Sequence, residues 1–213
     1  MVTLILNKTL AIKKTNMKKL LSIPVMALGL LLSLTGCIKN DPVLIEGAKV
    51  EFDATALNPN AVGLTYPIIA RVPAFGRVAN TSDSTLRRSP QTIRIRINLV
   101  GAQLSASGTV GYEVSTTSPI STFAMPATIT GQTPPAPAGT LAISNAVAGT
   151  DYVALSGKLD FPANSSFAFI DITILNPGPM PGQGKYLGLK LNNSGSLKPS
   201  VNYGELGLVI DQR

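Results

Sequence analysis

The 213-residue sequence has no histidine, no tryptophan and a single cysteine, and only 5% of its positions are aromatic. Each shortage closes a class of chemistry. Without imidazole, serine or cysteine triads and every histidine-ligated metal site are absent by composition. With one cysteine there is no intrachain disulfide, so stability has to come from packing. Without tryptophan, flat aromatic surface must come from phenylalanine and tyrosine, and Tyr66, Tyr112, Tyr152, Tyr186 and Tyr203 do not cluster in one loop. A membrane span needs about 20 apolar residues to cross roughly 30 Å of hydrocarbon. The 15-residue run Leu20–Leu34 is too short, and Ser22, Pro24, Gly29 and Ser33 interrupt it.

That run, led by Met17-Lys18-Lys19, has the form of a signal peptide, and initiation at Met17 is expected. Leu34-Thr35-Gly36-Cys37 behind it resembles a bacterial lipobox. In such a motif the cysteine becomes the first mature residue and carries acyl chains such as palmitate, each buried methylene adding about 0.8 kcal/mol of membrane affinity. The resemblance implies residues 1–36 as a lipoprotein signal peptide, 37–42 as a lipidated tether and 43–213 as the folded domain. Lys8, Lys13, Lys14, Lys18 and Lys19 would leave with the signal. The mature chain then keeps 13 of 18 basic residues against 11 acidic ones, a net +2 in place of +7. The high pI would thus be mostly a property of the segment removed, and no nucleic-acid partner is expected.

Beyond the tether the apolar period is two. Ile93, Ile95, Ile97 and Leu99 alternate with Thr92, Arg94, Arg96 and Asn98, as a half-buried strand demands. The same alternation runs through Ala48/Val50/Phe52, Val110/Tyr112/Val114, Ile170/Ile172/Ile174, Leu187/Leu189/Leu191 and Leu206/Leu208/Ile210. Turn formers separate these runs, among them Asn58-Pro59-Asn60, Ser107-Gly108, Pro162-Ala163-Asn164, Asn192–Gly195 and Asn202-Tyr203-Gly204. Thr81–Pro90, Gly131–Gly139 and Asn176–Gly184 are expected to be connections, the second because its prolines favour extended polyproline geometry and the third because proline removes ladder donors. The pattern predicts an all-β fold, a single antiparallel β-sandwich with polar outer faces.

The stretch Ala146–Leu175 adds a second likeness. Ala148-Gly149-Thr150-Asp151-Tyr152, Gly157-x-Leu159-x-Phe161 and the Ile170–Ile174 strand resemble a Calx-beta-type immunoglobulin-like domain, over about Thr92 to Asp211. Lipid-anchored domains of this kind are similar to surface lipoproteins of Bacteroidota, often found with glycan-uptake machinery. The resemblance implies calcium as one ligand, bound by acidic loops at one end. Asp151 matches one family position, but the segment after the Ile170–Leu175 strand reads Asn176-Pro177-Gly178-Pro179-Met180, without a carboxylate. No metal site or cofactor is therefore expected, and Asp151 reads equally as a turn residue.

Function is narrowed further by the acids. Glu51, Glu113, Asp160, Asp171 and Asp211 alternate outward on strands, where solvation is their expected role, and no pair suggests a catalytic couple. The expectation is a non-enzymatic, lipid-anchored outer-membrane lipoprotein acting as a binding or accessory module, at the cell surface rather than the periplasmic face. The alternatives are a glycan-binding surface lipoprotein of a polysaccharide-uptake system and a calcium-binding Calx-beta domain. The expected partners are the membrane and either an envelope protein or an anionic or neutral glycan.

Between Arg71 and Arg96, six arginines face only Asp83. Arg87, Arg88, Arg94 and Arg96 are the candidate ligand-binding residues, since guanidinium forks suit sulfate, phosphate and carboxylate. Arg94 and Arg96 share a strand face, about 6.6 Å apart along the backbone. Solvating a sheet face and discouraging edge aggregation is the alternative role. Phe167 and Phe169, on the face opposite Ile170–Ile174, either form an apolar patch for a partner or fill the rim beneath the Asn176–Gly184 loop.

Overall fold

Alternation of apolar and polar side chains sets the architecture. The computed structural model describes residues 47–53, 60–71, 74, 77 and 79–213; the signal segment, the lipobox Leu34–Cys37 and the tether lie outside the described residues. Every regular element there is a strand: β1 (Lys49–Phe52), β2 (Ile68–Ile69), β3 (Gln91–Val100), β4 (Gly108–Ser115), β5 (Thr122–Met125), β6 (Gly139–Asn145), β7 (Lys158–Phe161), β8 (Phe167–Ile174), β9 (Gln183–Asn192), β10 (Lys198–Pro199) and β11 (Glu205–Asp211). They form two sheets of a sandwich, the first in order β10-β1-β3-β8 and the second in order β2-β11-β9-β4-β7, with β6 on β9 and β5 on β6.

The long ladders β3–β8, β9–β11 and β4–β9 are antiparallel. Three pairings are parallel: β1–β10, β2–β11 and β6–β9. β9 is the spine of the second sheet. β11 follows one of its edges from Gly184 to Lys190, while β6 and β4 share the other end to end, β6 along Gln183–Tyr186 and β4 along Gly188–Asn192.

Between the sheets lie the inward positions that period two selects. Val50, Phe52, Ile93, Ile95, Ile97, Ile170, Ile172 and Ile174 of the first sheet meet Val110, Tyr112, Leu187, Leu189, Leu191, Leu206, Leu208 and Ile210 of the second. Burying each aliphatic or aromatic side chain contributes about 1.5–3 kcal/mol.

Two departures from the expected plan matter for function. The outer face of the second sheet is not uniformly polar. Val209 alternates with the inward Leu208 and Ile210, yet it is fully buried in a second apolar cluster with Ala70, Met125 and Leu141, flanked by Ile68, Ile120, Phe123 and Ile143. The β5–β6 hairpin and the 68–70 segment thus cover that part of the face. Thr81–Pro90, expected as a polar connection, contains a buried extended stretch. Leu86 is fully buried, donating its N–H to Ala70 O and accepting from Asp211 N–H, and Thr85 and Arg87 bridge to Arg71 and Asp211. One leucine among polar neighbours is too short a signal for periodicity.

Candidate functional site

The register of β3 against β8 assembles a ladder on the outer face of the first sheet. Arg94 lies opposite Asp171, Arg96 opposite Phe169 and Asn98 opposite Phe167. Arg94 Nε donates to Asp171 Oδ1 at 3.0 Å with both side chains more than half exposed. The Arg94 guanidinium lies 4.1 Å from the centre of the Phe169 ring and that of Arg96 4.4 Å from Phe167. The two rings meet edge to face at 5.5 Å. Each such cation–ring contact contributes about 0.5–1 kcal/mol at an exposed site. Phe167 and Phe169 do not fill a rim beneath a loop, because they sit at the start of β8 and the Leu175–Gly182 connection leaves from its far end. They are the surfaces on which the arginines rest.

Arg87 and Arg88 are elsewhere. Arg87 is fully buried beside Asp211, NH1 to Oδ2 at 3.9 Å, and it donates through NH2 to Arg213 O at 2.7 Å. Desolvation pushes its pKa down and the Asp211 charge works against that shift. Asp211, expected to be solvated, is itself buried. Its carboxylate accepts from the Arg213 backbone N–H, Nε and NH2. The buried 85–87 stretch packs over the end of β11, and that covers it. Arg88 donates to Gln212 O, Arg213 O and Asn176 Oδ1. The four candidate arginines therefore divide into a buried Arg87, a half-buried Arg88 tied to the chain's last carbonyls, and the surface pair Arg94 and Arg96. Arg71 and Arg77 serve the turn around Asp83.

Asp151 is buried, and its Oδ2 accepts the Val147 N–H at 2.8 Å across the turn that carries Gly149. This is the work of a turn residue. Among the described residues, no group of three or more histidine, cysteine, aspartate or glutamate side chains is placed to hold a metal ion.

A cleft of about 700 Å³ opens where β9 and β11 meet the 199–204 turn and the 60–67 segment, within the usual range for small-molecule sites. Tyr66 and Tyr203 line it from opposite segments, together with Asn60, Ser200, Asn202 and the Lys190–Glu205 ion pair of 2.5 Å. That pair is set by register, since Lys190 and Glu205 are cross-strand neighbours, and the hydrogen bond that Lys190 donates to the Glu205 carboxylate raises the lysine's pKa. Behind the cleft is Tyr186, whose hydroxyl lies 3.2 Å from that of Tyr66. Burial, then the Tyr66 hydroxyl, pushes the Tyr186 phenol well above its ordinary pKa. Its ring lies over Gly188 and Gly207: a Cβ at either would come within 2.8 Å of a Tyr186 side-chain atom.

The turn is fastened to both sheets. Ser200 N–H donates to Val50 O, Tyr203 O accepts from Phe52 N–H, and Gly204 O accepts from Leu191 N–H. Tyr203 is held at φ 50°, in the left-handed region that a side chain rarely adopts. The sequence kept the tyrosines apart because three separate segments bring them together. Asn202-Tyr203-Gly204 was legible as a turn but not as a wall.

No family model and no curated protein matches the chain. Among solved structures it is similar to an apo-form Calx CBD1 domain, at TM-score 0.44 and 15% identity, over 78% of this chain and 97% of that one. It is also similar to the calcium binding domain CBD12 of CALX1.1 and to CBD12 from CALX1.2. Each of these has TM-score 0.36 and 18% identity over 56% of this chain, which spans little more than a third of those structures. At these scores the likeness adds nothing to the sandwich already described from its strands.

Proposed function

We propose that this chain is a lipid-anchored, non-enzymatic binding or accessory module of a bacterial outer membrane, of the surface-lipoprotein kind. The carrying observation is the cleft at Tyr66 and Tyr203, whose walls are hydrogen-bonded into both sheets before any ligand arrives. A site on such a frame loses little ordering entropy on binding. The dispersal of the acids supports the non-catalytic part of the reading. Asp211 is consumed by Arg87 and Arg213, Asp171 by Arg94 and Glu205 by Lys190. The anchor rests on Leu34-Thr35-Gly36-Cys37.

Two measurements test it. Wild-type protein is expected to stay in the membrane fraction with fatty-acid mass on Cys37, whereas Cys37→Ser is released; equal retention would remove the anchor. Crosslinking on intact cells is expected to capture an envelope protein or glycan in a manner that Tyr203→Ala weakens.

A further inference from the structure

We infer that the cleft between β9, β11 and the 199–204 turn takes an uncharged, polyhydroxylated ligand, a neutral glycan segment, with Tyr203 as its stacking surface. This inference rests on the binding-module reading and names the ligand class of that site.

Charge is the first argument. Among the described residues, the ionised side chains lining the cleft are Lys190 and Glu205, and they neutralise each other at 2.5 Å. The cleft therefore offers no net charge to select an anion or a cation. What remains is a ring of uncharged donors and acceptors: the amides of Asn60 and Asn202, the hydroxyls of Thr65 and Ser200, and two phenols. Such groups pair with hydroxyls, each bond contributing modestly and the set fixing orientation.

Aromatic surface is the second. Tyr203 is 44% exposed although its backbone sits in a strained conformation, its carbonyl held by Phe52 of the first sheet and that of the adjoining Gly204 by Leu191 of the second. An exposed ring held at such cost is a prepared surface, and the apolar C–H face of a sugar ring fits it.

Positioning is the third. Tyr186 is buried on Gly188 and Gly207 and touches the Tyr66 hydroxyl, so Tyr66 has one preferred placement at the cleft wall. Tyr186 is a positioning residue, acting through Tyr66.

The experiment uses the full-length protein in detergent. The probes are neutral oligosaccharides derived from starch, xylan, mannan and galactan, beside a sulfated oligosaccharide and a mixed peptide library. Binding is followed by calorimetry and by tyrosine emission, which no tryptophan obscures. At least one neutral oligosaccharide is expected to bind. Tyr203→Ala should weaken it about tenfold, and Thr92→Ala on the other sheet should leave it unchanged. Tyr66→Phe and Tyr186→Phe should each weaken it about threefold, with the double variant no worse than either single one, because both remove the same hydroxyl pair. A merely structural Tyr186 would give additive losses.

Failure of every neutral probe at millimolar concentration, or binding indifferent to Tyr203→Ala, overturns the inference. Tyr203-dependent binding of the sulfated probe or of peptides instead overturns the ligand class and leaves the binding module standing. No binding of any class, together with no crosslinked partner, removes both.

Discussion

The two outer faces of the sandwich are built from opposite materials. On the first sheet, β3 and β8 present arginine, phenylalanine, threonine and aspartate, and facing or diagonal neighbours meet: Arg94 faces Asp171 and rests diagonally on Phe169, Arg96 rests diagonally on Phe167, and Thr92 faces Thr173. On the second sheet, the outward positions of β9 and β11 include Gly188, Gly207 and Val209, which carry little or no polar surface. There the face becomes a floor for Tyr186, for the Met125–Leu141 cluster and for the walls of the cleft. Side-chain size and charge at outward positions thus decide whether a sheet face ends at solvent or begins a further layer.

The comparison breaks most severely where a charge is buried under the second sheet's cover. Asp211→Ala leaves Arg87 buried beside no carboxylate, and a loss of about 3–5 kcal/mol is expected in urea unfolding. Asp171→Ala, on the exposed face, should cost under about 1 kcal/mol. Equal losses would mean the two environments do not differ.

Next comes Gly207→Ala. Its Cβ would sit 2.8 Å from Tyr186 Cε2 and 2.9 Å from Ile68 Cγ1, so about 1–3 kcal/mol of overpacking is expected by thermal unfolding. Thr92→Ala on the open face should move the midpoint far less.

The ladder sharpens the contrast from the other side. Arg94→Ala and Arg96→Ala should each cost about 0.5–1 kcal/mol. Retention of the double variant on a sulfated-polysaccharide column should match wild type, since the guanidinium groups already rest on Phe167, Phe169 and Asp171. A salt-dependent loss of retention would instead make this face an anion site.

The smallest effect is electrostatic. Arg77's hydrogen bond holds the Asp83 carboxyl below its ordinary value of 3.8. That contribution to stability is present above this value and is lost as pH falls through the lower folded pKa. The difference in melting temperature between wild type and Asp83→Asn should be small at neutral pH and vanish in acid.

Period two made the inward residues of six strands legible, from Val50 to Ile210, because burial on one face of a strand imposes it. The β3–β8 ladder was half legible: Arg94 and Arg96 share a face by spacing, but their partners Asp171, Phe169 and Phe167 come from pairing more than seventy residues away. Arg87 was indistinguishable from Arg88 or Arg94 in sequence, since only the buried Leu86 stretch, one residue of apolar signal, carries it inside. The cleft was illegible for the same reason. Tyr66, Tyr186 and Tyr203 meet through register and a fastened turn, and no local pattern encodes that meeting.

Because β9 joins β11 along one edge and β4 and β6 along the other, the centre of the second sheet is synthesised last. As the chain emerges from its amino end, β2, β4 and β6 wait with open edges until residues 183–211 arrive, and only then do four separate parallel and antiparallel ladders close together. Assembly is therefore gated by the latest-made strands, and an emerging polypeptide exposes sticky backbone until its closing segments thread into place.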